Sequence, residues 1–264
     1  MRKFIFGGSY TSFVFDPDAL AYFNANTAIT SDADKLAIDA FYKGLKADGI
    51  YTKIKAMYLP IWGSATSSKW NLIDPRDLNA AFRLTFSGGI TFTSGGMQGN
   101  GSNGFANTHF NPNTQQSNTS AHVSIYNRTN NTLTLGDEGA FTGNSSYSVL
   151  NLRNGSNTAL HGMWGDTSAV QPSVTDSRGF FVGTRQTSTS NKLFRNGTQI
   201  GVNTSATIGN RPNLDKYIMT INGLGFYSNR QYSFYSVGGA LSDTEQADLY
   251  SRVQLLMTYF GINV

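Results

Sequence analysis

Carboxylates that could act as a general acid and a general base are scarce in this chain. It contains two glutamates, Glu138 and Glu245, whereas common glycosidases need two carboxyl groups roughly 5–10 Å apart. Glu245 has the spacing of a helix cap. Glu138 follows Asp137 in a glycine-flanked turn, where adjacent side chains are expected on opposite faces, and Asp176 lies in a predicted loop. A polysaccharide-cleaving enzyme is therefore an alternative, and the prediction is a protein without catalytic residues.

Side chains that bind metals or act as nucleophiles also form no known motif. His109, His122 and His161 are widely separated, without His-Glu-x-x-His spacing, so we expect each in a strand or a turn. The sequence has no cysteine and no Gly-x-Ser-x-Gly elbow. The glycine-rich run 95–101 lacks the Gly-Lys-Ser/Thr ending of a phosphate-binding loop, and we interpret it as a loop of a β-sandwich.

One aromatic residue has the surroundings that sugar binding requires. Sugar C–H faces pack on aromatic rings while the hydroxyl groups form hydrogen bonds. Trp164 and Asp166 lie together in a loop-like stretch, and we predict them as glycan-binding residues. Burial of Trp164 in a core is the alternative that the sequence leaves open. Trp62 and Trp70 flank the junction between the helical and the β region, and we expect them to be packing residues.

The composition indicates a folded, mostly-β protein. Charged residues make up 14% of the 264 residues and aromatic residues 13%, and Gly, Ser, Thr and Asn fill the gap, which suits short strands and tight turns. The net charge of +4 is spread thinly, so no nucleic-acid partner is predicted. The apolar start of the chain, residues 4–6, is too short for a signal peptide or for membrane insertion.

Helical signals lie at the two ends of the sequence. A short helix is predicted over residues 16–23, and a second begins at the capping-box spacing of Ser31 and Asp34 and ends at Gly49. Apolar residues over 50–58 continue the helical spacing. The first 60 or so residues are therefore predicted to be largely helical.

The C-terminal helix has the clearest boundaries. Ser242 and Glu245 form a capping box, and Gly261 supplies a stop. Between them the apolar residues recur at helical spacing, which predicts a buried stripe that covers other hydrophobic surface; these residues are Leu249, Val253, Leu256 and Phe260.

Between these helices the apolar residues alternate with a period of two. Asn196-Gly197, flanked by apolar residues on both arms, predicts a hairpin with a type I′ turn. Many short strands at regular spacing predict a β-sandwich; the alternating stretches are residues 82–86, 90–92, 123–125, 147–152, 180–182, 192–200, 217–221, 224–227 and 232–237.

Several segments resemble one family. The hairpin at residues 193–200 resembles that of concanavalin A-like lectin/glucanase (laminin G-like) jelly-roll domains. Residues 227–245 resemble the closing strand and the following helix of such domains in bacteriophage virion proteins. Residues 71–84, with 86–89, look like the linker and first strand of the same proteins, and the helical run 34–58 fits their upstream region.

The resemblance implies a concanavalin A-like jelly-roll β-sandwich with an N-terminal helical segment and a C-terminal helix. We place the N-terminal attachment and helical segment at residues 1–75, and the sandwich with its closing helix at 76–264. The implied role is a bacteriophage virion structural protein in a tail, fibre or capsid-decorating position. Its expected partners are other virion proteins, further copies of itself and a host-surface glycan; a glycan-binding receptor-recognition module is the alternative. Residues 1–29 resemble nothing known and are expected to be an attachment segment.

Calcium would suit a lectin-like sandwich, because such sites use Asp, Asn and backbone oxygens. Asp137, Asn144, Asp166 and Asp176 are candidates, but no loop has a recognisable ligand order. We therefore interpret these residues as ordinary turn formers and predict no cofactor.

Overall fold

The computed structural model describes residues 14–165, 167, 169–206 and 209–264. Its α-helices are α1 (Pro17–Ala25), α2 (Asp32–Ala47), α3 (Ala65–Ser68), α4 (Pro112–Gln115) and α5 (Asp243–Tyr259). Short 3₁₀ turns span Tyr51–Lys53 and Asn79–Ala81.

The strands lie mainly between α3 and α5. They are β1 (Ile54–Tyr58), β2 (Thr85–Ser87), β3 (Ile90–Thr93), β4 (Gly96–Gly99), β5 (Phe105–Asn107), β6 (Ala121–Asn127), β7 (Glu138–Gly143), β8 (Ser146–Asn151), β9 (Leu160–Met163), β10 (Gly179–Arg185), β11 (Asn191–Arg195), β12 (Thr198–Asn203), β13 (Tyr217–Ile218), β14 (Ile221–Asn222) and β15 (Gln231–Gly238).

These strands form two sheets. Sheet A has the order β12-β11-β10-β6-β15-β4-β3, and β1 also pairs with β15. Sheet B has the order β2-β5-β13-β7-β8-β9, and β14 pairs with β7. The pairings are antiparallel except that of β14 with β7. The prediction of a mostly-β sandwich flanked by N-terminal and C-terminal helices is confirmed.

The central strands of sheet A, β6, β10 and β15, are buried on both faces. One face packs on sheet B and contributes residues such as Ile125 and Tyr235 to the core between the sheets. The other face packs on a helical layer, defined here as α1, α2 and α5. Phe41 of α2 makes an edge-on contact with Phe234, with ring centroids 6.0 Å apart. Alternating side chains of the same strands therefore fill two separate cores.

Local signals set the helix ends as predicted. The side chain of Ser31 accepts a hydrogen bond from the Asp34 N–H at the start of α2, and Gly49 follows this helix with φ +72°. At α5 the capping box is complete, because Ser242 and Glu245 each accept a hydrogen bond from the other's backbone N–H. These caps satisfy N–H groups that have no partner within their helix.

The predicted hairpin at Asn196-Gly197 is also confirmed. Asn196 has φ +49° and Gly197 has φ +76°, the signs that a type I′ turn requires at both central positions. The turn joins β11 to β12 at the edge of sheet A.

The prediction of a helix over residues 50–58 is wrong beyond the turn at Tyr51–Lys53. The chain then extends as β1 and pairs with β15 of sheet A. Ile54 and Met57 contact the helical side while Ala56 and Tyr58 contact the sandwich core. A short strand that is buried on both faces has an apolar pattern that periodicity cannot separate from a helix.

Three further segments differ from the sequence-based predictions. The strands on either side of Gly88-Gly89 are present, but β2 belongs to sheet B and β3 to sheet A. The glycine run 95–101, predicted as a loop, contains β4, and a Cβ at Gly96 would lie 2.3 Å from the Tyr232 carbonyl oxygen. Residues 224–227 form a loop with only an isolated bridge from Tyr227, because Gly223 and Gly225 adopt positive φ.

The predicted attachment segment, residues 1–29, falls partly outside the described residues, which begin at Val14. The described part contains α1, which packs in the helical layer. The predicted boundary between residues 75 and 76 stays a prediction.

Candidate functional site

Sheet B has the one broad sheet face that the described helices do not cover. The helical layer packs on sheet A, and the inner face of sheet B packs on the opposite side of sheet A. We call the remaining side of sheet B the outer face. It contains a small apolar cluster of its own around Tyr147, Val149 and Ile221. Exposed aromatic and polar groups on a concave surface are the usual features of a binding site.

Strand alternation determines which side chains reach the outer face. Ala106 of β5 and Ile218 of β13 belong to the core between the sheets, so their neighbours in the strands point outward. The pairing register places a row of residues side by side across β2, β5, β13, β7 and β8. In order, these residues are Thr85, Asn107, Tyr217, Gly139 and Val149.

One end of this row forms a surface that we call the polar platform. Phe105 and Tyr217 stack with ring centroids 4.6 Å apart and 12° between the ring planes. The platform combines these half-buried rings with hydroxyl, amide, imidazole and carboxylate groups; its members are Phe105, Tyr217, Thr85, Asn107, His109 and Asp215.

Hydrogen bonds hold the polar members of the platform in place. His109 Nε2 is 2.9 Å from the Thr85 hydroxyl oxygen, and His109 Nδ1 is 3.8 Å from an Asp215 carboxylate oxygen. The Asn107 side chain accepts from the His109 backbone N–H at 2.7 Å and donates to Asp215 at 3.4 Å. The result is a connected network of donors and acceptors beside the ring of Tyr217.

The two titratable groups at the centre of the platform have shifted pKa values. Burial lowers the pKa of His109, against the opposing attraction of the Asp215 carboxylate. Burial raises the pKa of Tyr217, and Asp215 raises it further. At neutral pH the platform therefore presents a neutral imidazole and a neutral phenol next to one carboxylate, an arrangement suited to hydrogen bonding with uncharged hydroxyl groups.

The other end of the row opens into a depression of about 250 Å³, which we call the apolar groove. The rings of Phe141 and Tyr147 stack there with centroids 5.9 Å apart. Tyr147 lies over Gly162, where a Cβ would be 2.5 Å from the ring. The lining is almost entirely apolar and consists of Leu135, Phe141, Tyr147, Val149, Leu160, Ala169, Gln171, Ile221 and Leu224.

A buried amide lies next to the apolar groove. Asn151 has no exposed surface, and neither its Oδ1 nor its Nδ2 has a hydrogen-bond partner among the described residues. It follows Val149 on the outward side of β8 and pairs with Leu160 of β9, and both neighbours line the groove. An unpaired buried amide is costly. Asn151 does not line the groove, so a ligand contacts it only when the side chains of Val149 and Leu160 move apart.

Trp164, predicted to contact a glycan, lies in the core between the sheets. Its ring has no exposed surface and packs with that core. The residue adopts φ +70° directly after β9, and its backbone N–H donates to the Tyr147 carbonyl. A buried ring offers no face to a sugar, so the alternative reading, burial, describes this residue correctly. Asp166, the other predicted contact, lies outside the described residues.

Asp137 and Glu138 both point into the sandwich, contrary to the expectation of opposite faces. Asp137 accepts hydrogen bonds from Arg230 and from the Tyr232 hydroxyl. Glu138 lies 2.9 Å from the Lys216 ammonium nitrogen. Burial raises the pKa of Glu138, against the opposing charge of Lys216. Asp137 precedes the first residue of β7, so strand alternation does not apply to this pair.

The calcium candidates within the described residues, Asp137, Asn144 and Asp176, are not brought together. Asp137 is buried against Arg230, Asp176 pairs with Arg178 at the surface, and Asn144 is exposed. Among the described residues no group of three or more His, Asp or Glu side chains is arranged to hold a metal ion. None of the helices in the described ranges has the length and apolar character needed to cross a membrane.

Comparison with known proteins identifies a fold. No protein-family model matches the chain, and no curated protein matches it. Among solved structures it is similar to domain 4 of AbnA, a GH43 extracellular arabinanase from Geobacillus stearothermophilus, determined in complex with arabinotriose. The TM-score is 0.52 at 12% identity, and the match covers 75% of this chain and 98% of that domain.

Two larger proteins contain the same architecture. The binding domain of botulinum neurotoxin serotype D matches with a TM-score of 0.53 at 11% identity over 77% of this chain and 51% of that one. Trypanosoma rangeli sialidase matches with a TM-score of 0.52 at 11% identity over 84% and 39%. The chain therefore spans about half of the toxin domain and less than half of the sialidase. These similarities establish the fold alone.

Proposed function

We propose that this protein is a non-catalytic glycan-binding β-sandwich that binds its ligand on the outer face of sheet B. The observation that carries the proposal is the stacked pair Phe105–Tyr217, which lies beside a hydrogen-bonded polar network on the open sheet face. Aromatic rings contact the C–H faces of sugars, and fixed polar groups bind the hydroxyls. Asn107, His109 and Asp215 supply these groups.

The structural neighbours support a glycan ligand by analogy of fold. Domain 4 of the arabinanase was determined with arabinotriose, and the botulinum neurotoxin type C structure concerns interaction with two ganglioside molecules. One fold hosts many functions, so these ligands belong to those proteins. The site on this chain is argued from its own rings and polar groups.

The non-catalytic part of the proposal is supported by the positions of the acidic residues. Asp137 and Glu138 have no exposed surface and are bound to Arg230 and Lys216. In most glycosidase families, hydrolysis of a glycosidic bond needs two carboxyl groups that flank the substrate. On the polar platform Asp215 is the one carboxylate. Release of reducing ends from a bound polysaccharide would overturn this part of the proposal.

A glycan array followed by calorimetry tests binding at the platform. We expect saturable binding that weakens about tenfold or more in Tyr217→Ala, because a tenfold change corresponds to about 1.4 kcal/mol and burial of a large apolar side chain contributes about 1.5–3 kcal/mol. Leu255→Gln is the matched control, since it changes an exposed apolar residue on the helical layer. Absence of binding to any array glycan, or equal binding by the Tyr217 variant, would contradict the proposal.

We propose second that the protein is a bacteriophage virion structural component attached through its helical layer. Leu36, Leu255 and Tyr259 are exposed by 43%, 65% and 46%, and a groove of about 200 Å³ runs between α2 and α5. Exposed apolar patches of this kind mark contacts with other proteins. The partner would be another virion protein or a second copy of this chain.

Mass spectrometry of purified particles tests the virion role. We expect the protein at a defined copy number per particle, and we expect Leu255→Gln with Tyr259→Ser to reduce its incorporation. Leu224→Asn, on the opposite side of the molecule, should be incorporated normally. Particles that lack the protein would overturn this second proposal and leave glycan binding unaffected.

A further inference from the structure

We infer that the glycan bound on the outer face carries an acetyl group, and that the apolar groove receives this group. The inference rests on the proposed glycan-binding function and specifies its ligand class. It is carried by the continuity between the polar platform and the apolar groove, by the lining of the groove, and by the unpaired amide of Asn151.

The platform and the groove form one continuous surface. Tyr217 pairs with Gly139, and Gly139 pairs with Val149, which lines the groove. Neighbouring strands are about 4.8 Å apart, so the backbones of Tyr217 and Val149 are separated by about 10 Å. Gly139 has no side chain to rise between them. A short oligosaccharide that stacks on the platform can therefore place a substituent in the groove.

The lining of the groove favours a methyl group over a hydroxyl group. Gln171 is exposed at the rim, and the remaining lining side chains are aliphatic or aromatic. A hydroxyl buried against Val149, Leu160 and Leu224 would lose its hydrogen bonds with water, and these three side chains offer no replacement. A methyl group loses no hydrogen bond and gains contact with apolar surface.

Asn151 distinguishes an acetyl group from a plain methyl group. Its unpaired amide is fully buried. Asn151 lies two residues after Val149 in β8 and pairs with Leu160 of β9, and both of these residues line the groove. We infer that the side chains of Val149 and Leu160 move apart when the acetyl group enters, so that its carbonyl accepts a hydrogen bond from the Asn151 Nδ2–H₂. The methyl of the acetyl group then contacts the apolar lining. One substituent thereby satisfies both features of the groove.

Matched glycans test the inference. The probes are N-acetylglucosamine and glucose oligosaccharides of equal linkage, N-acetylgalactosamine and galactose oligosaccharides, and an O-acetylated polysaccharide before and after mild alkaline deacetylation. We expect the acetylated member of a bound pair to bind at least tenfold more tightly, within the range that a small apolar group contributes in a hydrophobic pocket. Methyl-bearing 6-deoxy sugars should show a smaller preference than acetylated ones.

Two variants assign the preference to the groove. Leu224→Asn should remove the preference for acetylated glycans while binding at the platform persists. Asn151→Leu should reduce the preference without loss of thermal stability, because it replaces an unpaired buried amide by an apolar group. Leu255→Gln should retain the full preference.

The outcomes separate this inference from the proposed function. Equal binding of acetylated and unacetylated glycans would overturn the acetyl inference alone, as would an unchanged preference in both groove variants. A stronger preference for 6-deoxy sugars would also overturn it. Failure of every glycan to bind the wild-type protein would overturn the glycan-binding function itself.

Discussion

Glu138 and Lys216 form a salt bridge inside the sandwich, where neither side chain has exposed surface. Lys216 also donates to the Ser148 hydroxyl at 2.8 Å, and the Tyr235 hydroxyl donates to Glu138 at 3.2 Å. Burial lowers the pKa of Lys216, against the opposing charge of Glu138. Each charge is therefore tolerated in the core because the other charge and the hydroxyl groups compensate for lost hydration.

Removal of one partner should destabilise the protein strongly. We expect Lys216→Met to lower the free energy of unfolding by about 3–5 kcal/mol, because Glu138 is then buried without its countercharge. The double variant Lys216→Met with Glu138→Gln should recover part of this loss. Urea unfolding at pH 7 measures both values. A double variant as unstable as the single variant would show that the ion pair is not the cause.

Two buried histidines make folding stability depend on pH. Burial lowers the pKa of His122 to about 4 and that of His161 to about 3. His122 Nδ1 is 2.5 Å from the Gly239 carbonyl oxygen, and His161 Nε2 is 2.9 Å from Asn191 Oδ1. Both rings are thus neutral in the folded protein at pH 5.

Stability should fall as the pH decreases from 7 to 5. An unfolded histidine has a pKa near 6.5, so between pH 6.5 and about 4 the unfolded chain binds protons that the folded chain does not. Each histidine should contribute about 2 kcal/mol to the loss at pH 5. In His122→Asn the loss should be smaller by about this amount. Parallel stability curves for the variant and the wild type would contradict the assignment.

At the scale of elements, the start of α5 links the helical layer to sheet A. Its N-terminal capping box involves Ser242 and Glu245, and Glu245 also lies 2.5 Å from the Lys53 ammonium nitrogen. Lys53 immediately precedes β1, which pairs with β15. One glutamate thereby joins a helix start to an edge of sheet A.

Loss of the cap should have a measurable and local effect. We expect Ser242→Ala to lower the free energy of unfolding by about 1 kcal/mol, because the Glu245 N–H loses its acceptor. Ser251→Ala is the control, since Ser251 is an exposed serine in the interior of the same helix and its loss should change stability by less than half as much. Equal effects in thermal unfolding would argue against the capping role.

At the scale of the whole molecule, three layers share two cores. The helical layer and sheet A bury one set of side chains, and sheets A and B bury the other. Phe180 stacks with Tyr250 of α5 at 6.4 Å and makes an edge-on contact with Phe234 at 5.9 Å. The helices therefore cover a face of sheet A that would otherwise be a large apolar patch.

A fragment that contains residues 76–264 alone should not fold stably. It lacks β1, α1 and α2, so it exposes Phe234 and part of the edge of β15, and exposed strand edges and apolar patches lead to aggregation. We expect the fragment either to aggregate, as measured by light scattering, or to bind hydrophobic dyes and lose the native near-UV circular dichroism bands. A monomeric fragment with native near-UV bands would establish residues 76–264 as an independent domain and contradict this prediction.

Local interactions explain what the sequence by itself determined. The helix starts at Ser31 and Ser242 and the hairpin at Asn196-Gly197 depend on contacts among a few consecutive residues, and their residue types predict them. The alternation of apolar residues predicts the sandwich, because each strand must bury one face. Fold class and most element positions could therefore be predicted from the sequence.

Long-range packing decided the rest. Glu138 and Lys216 are 78 residues apart in sequence, and Tyr217 joins Asn107 through strand pairing; no local pattern predicts either contact. The burial of Trp164 and the openness of sheet B depend on which surfaces the helical layer covers. Periodicity divides the side chains of a strand between two faces. Only the assembled layers determine which of these faces remains accessible to a ligand.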